Sequence, residues 1–539
     1  MGWAWAISMT MSISPLFVAF VVGCGSTPEV EAPEPEPVAA PVEDTRPNVL
    51  IVLWDTVRAD HMSMYGYETQ TTPRMDEWAE GATVFERAWS PGMWTVPSHA
   101  SMFTGLQTTT HGAHASHRWL DNHHDTLAER LGAKGYDTFA FSSNVYASPV
   151  SNMMQGFDVV HTTYPRGKRP GRYQQAARKL TMAKLMAEDA STEVSPAFGG
   201  SSADKWGRSV FKDAAPVAGR GLLEWLDERD GKGPWFAYLN MMEAHTPRIP
   251  SKASRAAVMD EATAAHALTV DTSVFAENSF IVGERTYDER DLAAIRGVYD
   301  AALRDLDTAT ADLMDALKTR GVLDDTVVIL VSDHGESLGE HQMMEHRWSV
   351  HEPLLAVPLV VRYPQKLPPS RNATPVSTID VFNTVMDLTG QGESDDPGVQ
   401  SHSLRMMADR GPVYSALVDP FASQSKSLIK AYPQLDMAPW LRTYNAVRDG
   451  SMKYVAASDE AHALYDLEVD PGELNNLLAT RAETAERLSQ AVSHWHEALP
   501  EYDPSKATSA DANTDADAEE RAQLILLGYV DGDEDEEDQ

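Results

Sequence analysis

The chain has 539 residues, 42% of them hydrophobic, enough for a sizeable core divided over more than one structural unit. Its 44 basic residues face 80 acidic ones, a formal net charge of −36, so its field repels polyanions and excludes nucleic acid as an expected partner. The single cysteine excludes internal disulfides and cysteine-ligated metal sites.

The amino end carries an apolar run, Ile13–Val22, followed by Gly23 and Cys24. A membrane span needs about 20 apolar residues, so residues 1–24 read as a secretion signal. A small-residue site ending in the lone cysteine resembles a bacterial lipobox. That resemblance implies lipidation of Cys24, export across the inner membrane, and a membrane anchor that keeps the protein in the cell envelope. No Lys or Arg precedes the apolar run, so its positive end rests on the α-amino group. Residues 25–46, rich in Pro and Glu, are expected to be a disordered spacer.

Asn48-Val-Leu-Ile-Val-Leu-Trp54 has the continuous apolar character of a strand buried on both faces, and it ends at Asp55. Trp235-Phe-Ala-Tyr-Leu-Asn240 is a second such run and leads to Glu243-Ala-His245; Thr326-Val-Val-Ile-Leu-Val-Ser332 is a third and leads to Asp333-His334-Gly335. Helical spacing of apolar residues over Leu292–Leu317 falls between strands. This alternation predicts a doubly wound α/β domain over residues 47–395, with a central, mostly parallel sheet and ligands gathered at the carboxyl ends of the strands. The polar stretch 166–209 reads as an insertion or cap. From residue 396 to 505 the elements shorten, predicting a small α+β subdomain closed by a helix over Thr480–Ala498, and residues 506–539 form an acidic tail.

Asp55, Asp333 and His334 offer two carboxylates and an imidazole at strand ends, a plausible set for a hard or borderline divalent cation. Each alone is as well explained by a cap or a turn. The segment Trp94-Thr-Val-Pro-Ser-His-Ala-Ser-Met-Phe-Thr-Gly105 adds a hydroxyl, Thr95, expected on a turn entering a helix at about Ser98, where the helix terminus favours an anion. A cation beside that hydroxyl would lower its pKa and make it a competent nucleophile. The simpler role for Thr95 is as the cap of that helix.

This segment resembles the sulfatase signature. The resemblance continues in chain order through Tyr65-Gly66-Tyr67, Thr72-Pro73, Glu243-Ala-His-Thr-Pro247, Ser332-Asp-His-Gly335, Gly339-Glu-His341, Val357-Pro-Leu359 and the tail Leu464-Tyr-Asp-Leu467 with Asp470-Pro-Gly472. It implies an alkaline phosphatase-like sandwich, a divalent metal, and an anionic sulfate or phosphate ester as substrate.

The departures from the family pattern direct the mechanism. Sulfatases oxidise a signature Cys or Ser to formylglycine; oxidation of Thr95 would give a ketone, so no formylglycine is expected. His99 replaces the signature arginine. Trp54 stands where many sulfatases have a second aspartate, and Phe141-Ser-Ser-Asn-Val145 stands where they often carry a lysine and a histidine. The ligand set Asp55, Thr95, Asp333 and His334 resembles relatives with a threonine nucleophile. It has too few oxygens for Ca²⁺, which favours one Mn²⁺, Zn²⁺ or Mg²⁺. Met241 replaces an aspartate that two-metal relatives have. His245 and His346 are placed by the resemblance at the substrate or leaving group. His111 and His114 are outside candidates, and the other histidines nearby read as surface groups. The expected activity is cleavage of a phosphate or sulfate ester through a covalent Thr95 intermediate, by hydrolysis or by transfer, with the phosphoester favoured. A sulfuric ester hydrolase, or a pocket without turnover, are the other readings.

Overall fold

Asn48–Trp54 forms the centre of an eight-stranded sheet, and six of its seven residues are buried. Across the sheet the strands run Ser370–Asn372, Thr83–Phe85, Leu359–Arg362, Thr326–Val331, Asn48–Trp54, Trp235–Met241, Asp137–Ser142 and Val159–Thr162. Only Leu359–Arg362 runs against its neighbours, so the sheet is mixed and mostly parallel, as its apolar strands predict. The computed structural model describes residues 45–163, 171–186, 214–229, 233–406, 410–420 and 428–506. The expected signal, Cys24, the linker and nearly all of the acidic tail lie outside them. Among the described residues no helix is long and apolar enough to cross a membrane.

The helical pattern seen over Leu292–Leu317 is one helix, Glu289–Thr319, opened by a capping box between Asp288 and Asp291. Its apolar face packs on the sheet, and Thr310 on that face accepts the indole N–H of Trp54 at 2.9 Å. Trp54 therefore faces the helix layer. The position that holds a second aspartate in many sulfatases is spent here on packing.

Within the stretch 166–209, read from the sequence as an insertion or cap, Arg172–Met186 is helical. Within the segment 396–505 the sheet begins at Val413. Four antiparallel strands, Val413–Leu417, Tyr444–Asp449, Met452–Ala457 and Ala463–Asp466, are covered by the helix Ala482–Ala498. Leu488, Val492 and Ala485 of that helix bury against Val447, Tyr454 and Leu464. The other face of this small sheet joins the main core through Val413, Leu417, Ala446 and Val455.

Candidate active site

Parallel strands deliver their carboxyl ends to one edge of the sheet, and the chemistry-bearing residues follow those ends. Asp55 follows Trp54, and its backbone N–H still bonds the Met241 carbonyl at 2.9 Å. Asp333 and His334 follow the neighbouring strand, and Asn144 follows Asp137–Ser142. The loop after Asp55 begins with Thr56 at φ 61°, an uncommon conformation for a β-branched residue. Tyr299 holds it there by donating to the Thr56 carbonyl at 2.8 Å. In that conformation the Thr56 N–H points at Asp333 Oδ1, 3.3 Å away, which also accepts the His334 N–H at 3.0 Å.

The ligand atoms of Asp55, Asp333 and His334 lie within 4.8 Å of one another, and all three residues are buried. Asp55 Oδ1 has no hydrogen-bond partner. Asp333 Oδ2 lies 3.3 Å from His334 Nε2 and 3.5 Å from His99 Nδ1 without completing a well-aligned bond to either. Two buried carboxylate oxygens left short of donors are what a divalent cation would satisfy. His334 donates Nδ1–H to the Gly335 carbonyl at 2.9 Å, which turns Nε2 toward the cluster. Gly335 is required beside it: a β-carbon there would sit 2.0 Å from the Pro353 carbonyl oxygen.

The electrostatics agree. Burial, and then the charge of Asp333, push the Asp55 carboxyl up to about 6. Burial would raise Asp333 as well, but the His334 imidazole outweighs it and holds that carboxyl near 2. Burial opposes the charge on His334, yet Asp333 lifts it to about 9. Without a cation the cluster thus keeps a proton on His334, and a divalent ion would displace that proton.

Thr95 joins this cluster from a distant part of the chain. The helix runs Thr95–Thr104, so it begins at Thr95 and not at about Ser98 as expected, and Trp94 in extended conformation is its N-cap residue. The Thr95 hydroxyl is therefore not the helix cap. It accepts from Asn144 Nδ2 at 3.2 Å and lies 3.5 Å from His334 Nε2. Asn144 Nδ2 also donates to Asp55 Oδ2 at 2.9 Å, an oxygen that Asn240 Nδ2 bonds at 2.9 Å too.

His99 lies one turn along the same helix. Its Nδ1 sits 2.8 Å from the Thr95 carbonyl and its Nε2 2.6 Å from the Tyr238 hydroxyl. With Nδ1–H donating and Nε2 accepting, no ring nitrogen is left to face a substrate. Burial lowers its pKa, so it does not carry the charge of the arginine it replaces. His245 and His346 stand in a row with His334: the rings of His334 and His346 are 4.5 Å apart, those of His346 and His245 5.1 Å. His346 Nδ1 is 2.9 Å from the buried Glu336, whose other oxygen accepts from Arg248 at 2.6 Å. Glu243 is elsewhere, accepting the Ala215 N–H at 2.7 Å. His111 bonds Ser101 and the Ala113 N–H, and His114 pairs with Asp419.

Asn144, Asn240, Tyr238, Glu336 and Arg248 were not singled out from the sequence. Asn144 and Asn240 stand at or just after strand ends like Asp55, and that position is the one signal that marks them. Glu336 and Arg248 are defined only by the pairing across the fold.

Comparison with known proteins places this geometry. The family profile described as Sulfatase matches residues 47–391, and that of the C-terminal part of N-sulphoglucosamine sulphohydrolase matches residues 339–498. The multifunctional alkaline phosphatase superfamily protein PehA of Trinickia caryophylli is 25% identical over 85% of this chain and 98% of its own length. Arylsulfatase K of Bos taurus is 25% identical over 83% of this chain and 81% of its length. The phosphonate monoester hydrolase of Agrobacterium radiobacter superposes with a TM-score of 0.61 at 23% identity, covering 84% of this chain and 96% of that one. The matched segment runs from the central strand through the whole Asp55, Thr95, Asp333 and His334 cluster, and the chain belongs to the sulfatase family of metal-dependent hydrolases within the alkaline phosphatase superfamily.

Proposed function

We propose that this protein cleaves a phosphate or phosphonate ester with the unmodified Thr95 hydroxyl as nucleophile. The observation that carries the reading is the position of Thr95 Oγ: 3.5 Å from His334 Nε2 and 3.2 Å from Asn144 Nδ2, in the cluster that holds Asp55 and Asp333. Asp55, Asp333, His334 and Thr95 would hold one divalent ion, Mn²⁺, Zn²⁺ or Mg²⁺, which when bound lowers the hydroxyl pKa and offsets charge on the transferred group. Thr95 Oγ attacks phosphorus, its proton passing to solvent, as the bond to the leaving-group oxygen breaks. That oxygen takes a proton from His346, whose Nδ1 lies 2.9 Å from Glu336 Oε1. The threonine ester is resolved by water, or by an acceptor alcohol, which gives its proton back to His346 as it attacks phosphorus and the bond to Thr95 Oγ breaks, Thr95 regaining a proton from solvent. Asn144 keeps the hydroxyl aimed, His245 lines the leaving-group side, and His99 supports Asp333 and the Thr95 carbonyl.

A phosphoester is favoured because an unmodified alcohol ester can be resolved only by a second attack at the central atom. An aldehyde hydrate can instead expel the group with its own second hydroxyl, and Thr95 cannot supply one. The relatives named for phosphonate monoester and multifunctional activity fit this substrate class. A sulfuric ester is the second reading, favoured by the likeness to arylsulfatase K. The signal and Cys24 extend the proposal to a lipid-anchored enzyme of the cell envelope; the mass of the mature N-terminal peptide, with and without C24S, tests that part.

The deciding experiment assays purified protein with Mn²⁺, Zn²⁺ and Mg²⁺ against matched aryl phosphate, phosphonate and sulfate esters. Turnover should be fastest on a phosphorus ester, and rapid acid quench should trap phosphothreonine at position 95. T95A should fold and lose activity by about 10³-fold or more. A folded T95A that keeps wild-type turnover would refute the reading.

A further inference from the structure

A fully buried lysine lies where the C-terminal sheet meets the catalytic domain. Lys453 stands on the strand Met452–Ala457 and shares with Val455 the sheet face that joins the main core. Lysine is almost never buried unless it is paired. Here the ammonium donates to the Val350 carbonyl at 2.7 Å and to Glu352 Oε1 at 3.1 Å, and it pairs with Glu473 Oε1 at 2.7 Å. Glu352 Oε2 accepts from Arg448 at 3.2 Å, and Glu473 Oε2 accepts the Glu352 N–H at 2.6 Å. Two cations meet two carboxylates, so the buried charges balance. Burial opposes the charge on Glu473, yet the Lys453 ammonium and His351 outweigh it and hold that carboxyl at about 2.

This cluster grips one end of the segment that carries His346. The segment starts at Met344–Glu345, which pairs with Ser337–Leu338, and ends at Val350–Glu352, held by Lys453 and Glu473. Between those ends Glu345 at φ 59° and Trp348 at φ 56° occupy left-handed conformations, which are costly in residues with a β-carbon. Such a path persists only where its surroundings over-determine it. The C-terminal subdomain supplies that constraint: Trp440 packs edge-on against Trp348 at 5.5 Å, and Lys453 takes the Val350 carbonyl. The grip extends to the neighbouring active-site segments. Gly335 donates its N–H to the Leu354 carbonyl at 2.8 Å, two residues beyond Glu352, and the Trp89 indole donates to Glu352 Oε2 at 3.3 Å. A junction that only joined two units would be served as well by apolar packing, which costs no desolvation of charge. A bond to one backbone carbonyl fixes a position along the chain.

We propose that Lys453 is a positioning residue: through the Val350 carbonyl, Glu352 and Glu473 it holds residues 345–351 so that His346 stays beside His334. Those two rings are 4.5 Å apart. The effect on turnover passes through His346 as the leaving-group acid, and to that extent it rests on the proposed function.

K453M alone leaves Glu352 and Glu473 with one cation between them and unbalances the buried charge. The test therefore combines it with E473Q, which restores the balance and keeps an oxygen for the Glu352 N–H. In metal-loaded, full-length protein, K453M/E473Q should keep the circular dichroism of wild type. Amide exchange over residues 345–351 should speed up by at least about 10-fold, while that of Asn48–Trp54 is unchanged. On alkyl esters kcat/KM should fall about 10–100-fold, and on nitrophenyl esters, whose leaving oxygen needs no proton, by less than about 3-fold. H346A measured alongside sets the leaving-group dependence expected when the acid itself is lost. Unchanged exchange over 345–351, or an equal loss on both kinds of ester where H346A discriminates between them, overturns the proposal. A double variant that fails to fold despite its balanced charge would make Lys453 a folding residue and overturn it too. Faster exchange together with an H346A that is indifferent to the leaving group would keep the anchor and sink the proton-donor role of His346 instead.

Discussion

The Asn144 side-chain amide donates to the Thr95 hydroxyl oxygen across 3.2 Å. Its nitrogen also reaches Asp55 Oδ2 at 2.9 Å, so one amide ties the Thr95 hydroxyl to a carboxylate that follows another strand. It aims the hydroxyl without placing a competing charge beside Asp55 and Asp333. N144A should therefore lower kcat by about 10²–10³-fold, the usual effect of deleting one preorganised donor, with KM changed only a few-fold. N144D keeps the size but turns the donor into an acceptor, and should be at least as impaired. Steady-state kinetics of both variants at saturating metal check this; wild-type kcat in N144A would show that Thr95 is aimed by something else.

Glu336 sets the orientation of His346. Its buried carboxylate faces His346 Nδ1 at 2.9 Å and accepts from Arg248 at 2.6 Å, so the guanidinium balances its charge and the carboxylate holds one edge of the imidazole. Removing the charge by E336Q should weaken proton donation to the leaving group. The loss in kcat/KM should reach about 10–100-fold for alkyl esters, whose leaving oxygen needs a proton. It should be slight for nitrophenyl esters, whose leaving group does not. A series of leaving-group pKa values measures this as a steeper dependence in E336Q. An equal loss across the series would mean Glu336 serves folding alone.

Much of the fold is legible in the sequence. The unbroken apolar runs ending in Asp55 and in Asp333-His334 fit buried parallel strands, and strand ends converge on one edge of the sheet. Pro97 and Ser98 look like a helix opening in the sequence, whereas the fold begins the helix three residues before Ser98, from extended Trp94. His99 occupies the position of the signature arginine, but it is buried and its Nε2 is taken by Tyr238, a partner distant in sequence. The Glu336–Arg248 pair leaves no trace in the sequence, since a buried pairing between remote segments has neither period nor spacing, and Asn144 is marked only by its place after a strand end.

Tyr238 provides a direct check on the support beneath Asp333. Burial pushes its hydroxyl well above the usual phenol range, so it stays protonated and donates to His99 Nε2 at 2.6 Å. Y238F leaves that buried nitrogen without a partner, which costs about 1–3 kcal/mol of stability. Because His99 Nδ1 faces both the Thr95 carbonyl and Asp333 Oδ2, the variant should also bind its active-site metal about 10-fold more weakly. Denaturant unfolding and metal titration measure the two effects separately. A stability loss with unchanged metal affinity would confine Tyr238 to packing.

Asp307 makes a prediction about pH that involves no metal. It sits on the long helix Glu289–Thr319, and its carboxylate accepts the N–H groups of Met75 at 2.7 Å and Arg74 at 3.3 Å at the start of the helix Pro73–Ala79. Burial raises its pKa from 3.8 to about 6, because those bonds and the Arg304 charge recover only part of the lost hydration. A carboxyl raised on folding contributes stability that is full below its unfolded pKa and is lost as pH rises through the folded value. Wild type should therefore lose up to about 3 kcal/mol relative to D307N between pH 4 and pH 6.5, and the difference should level off above that. D307N keeps a side-chain oxygen for the Met75 N–H and does not titrate. Urea unfolding of the two proteins at matched pH and ionic strength gives the difference directly; a gap independent of pH would show that Asp307 is ionised on both sides of the folding equilibrium with the same pKa.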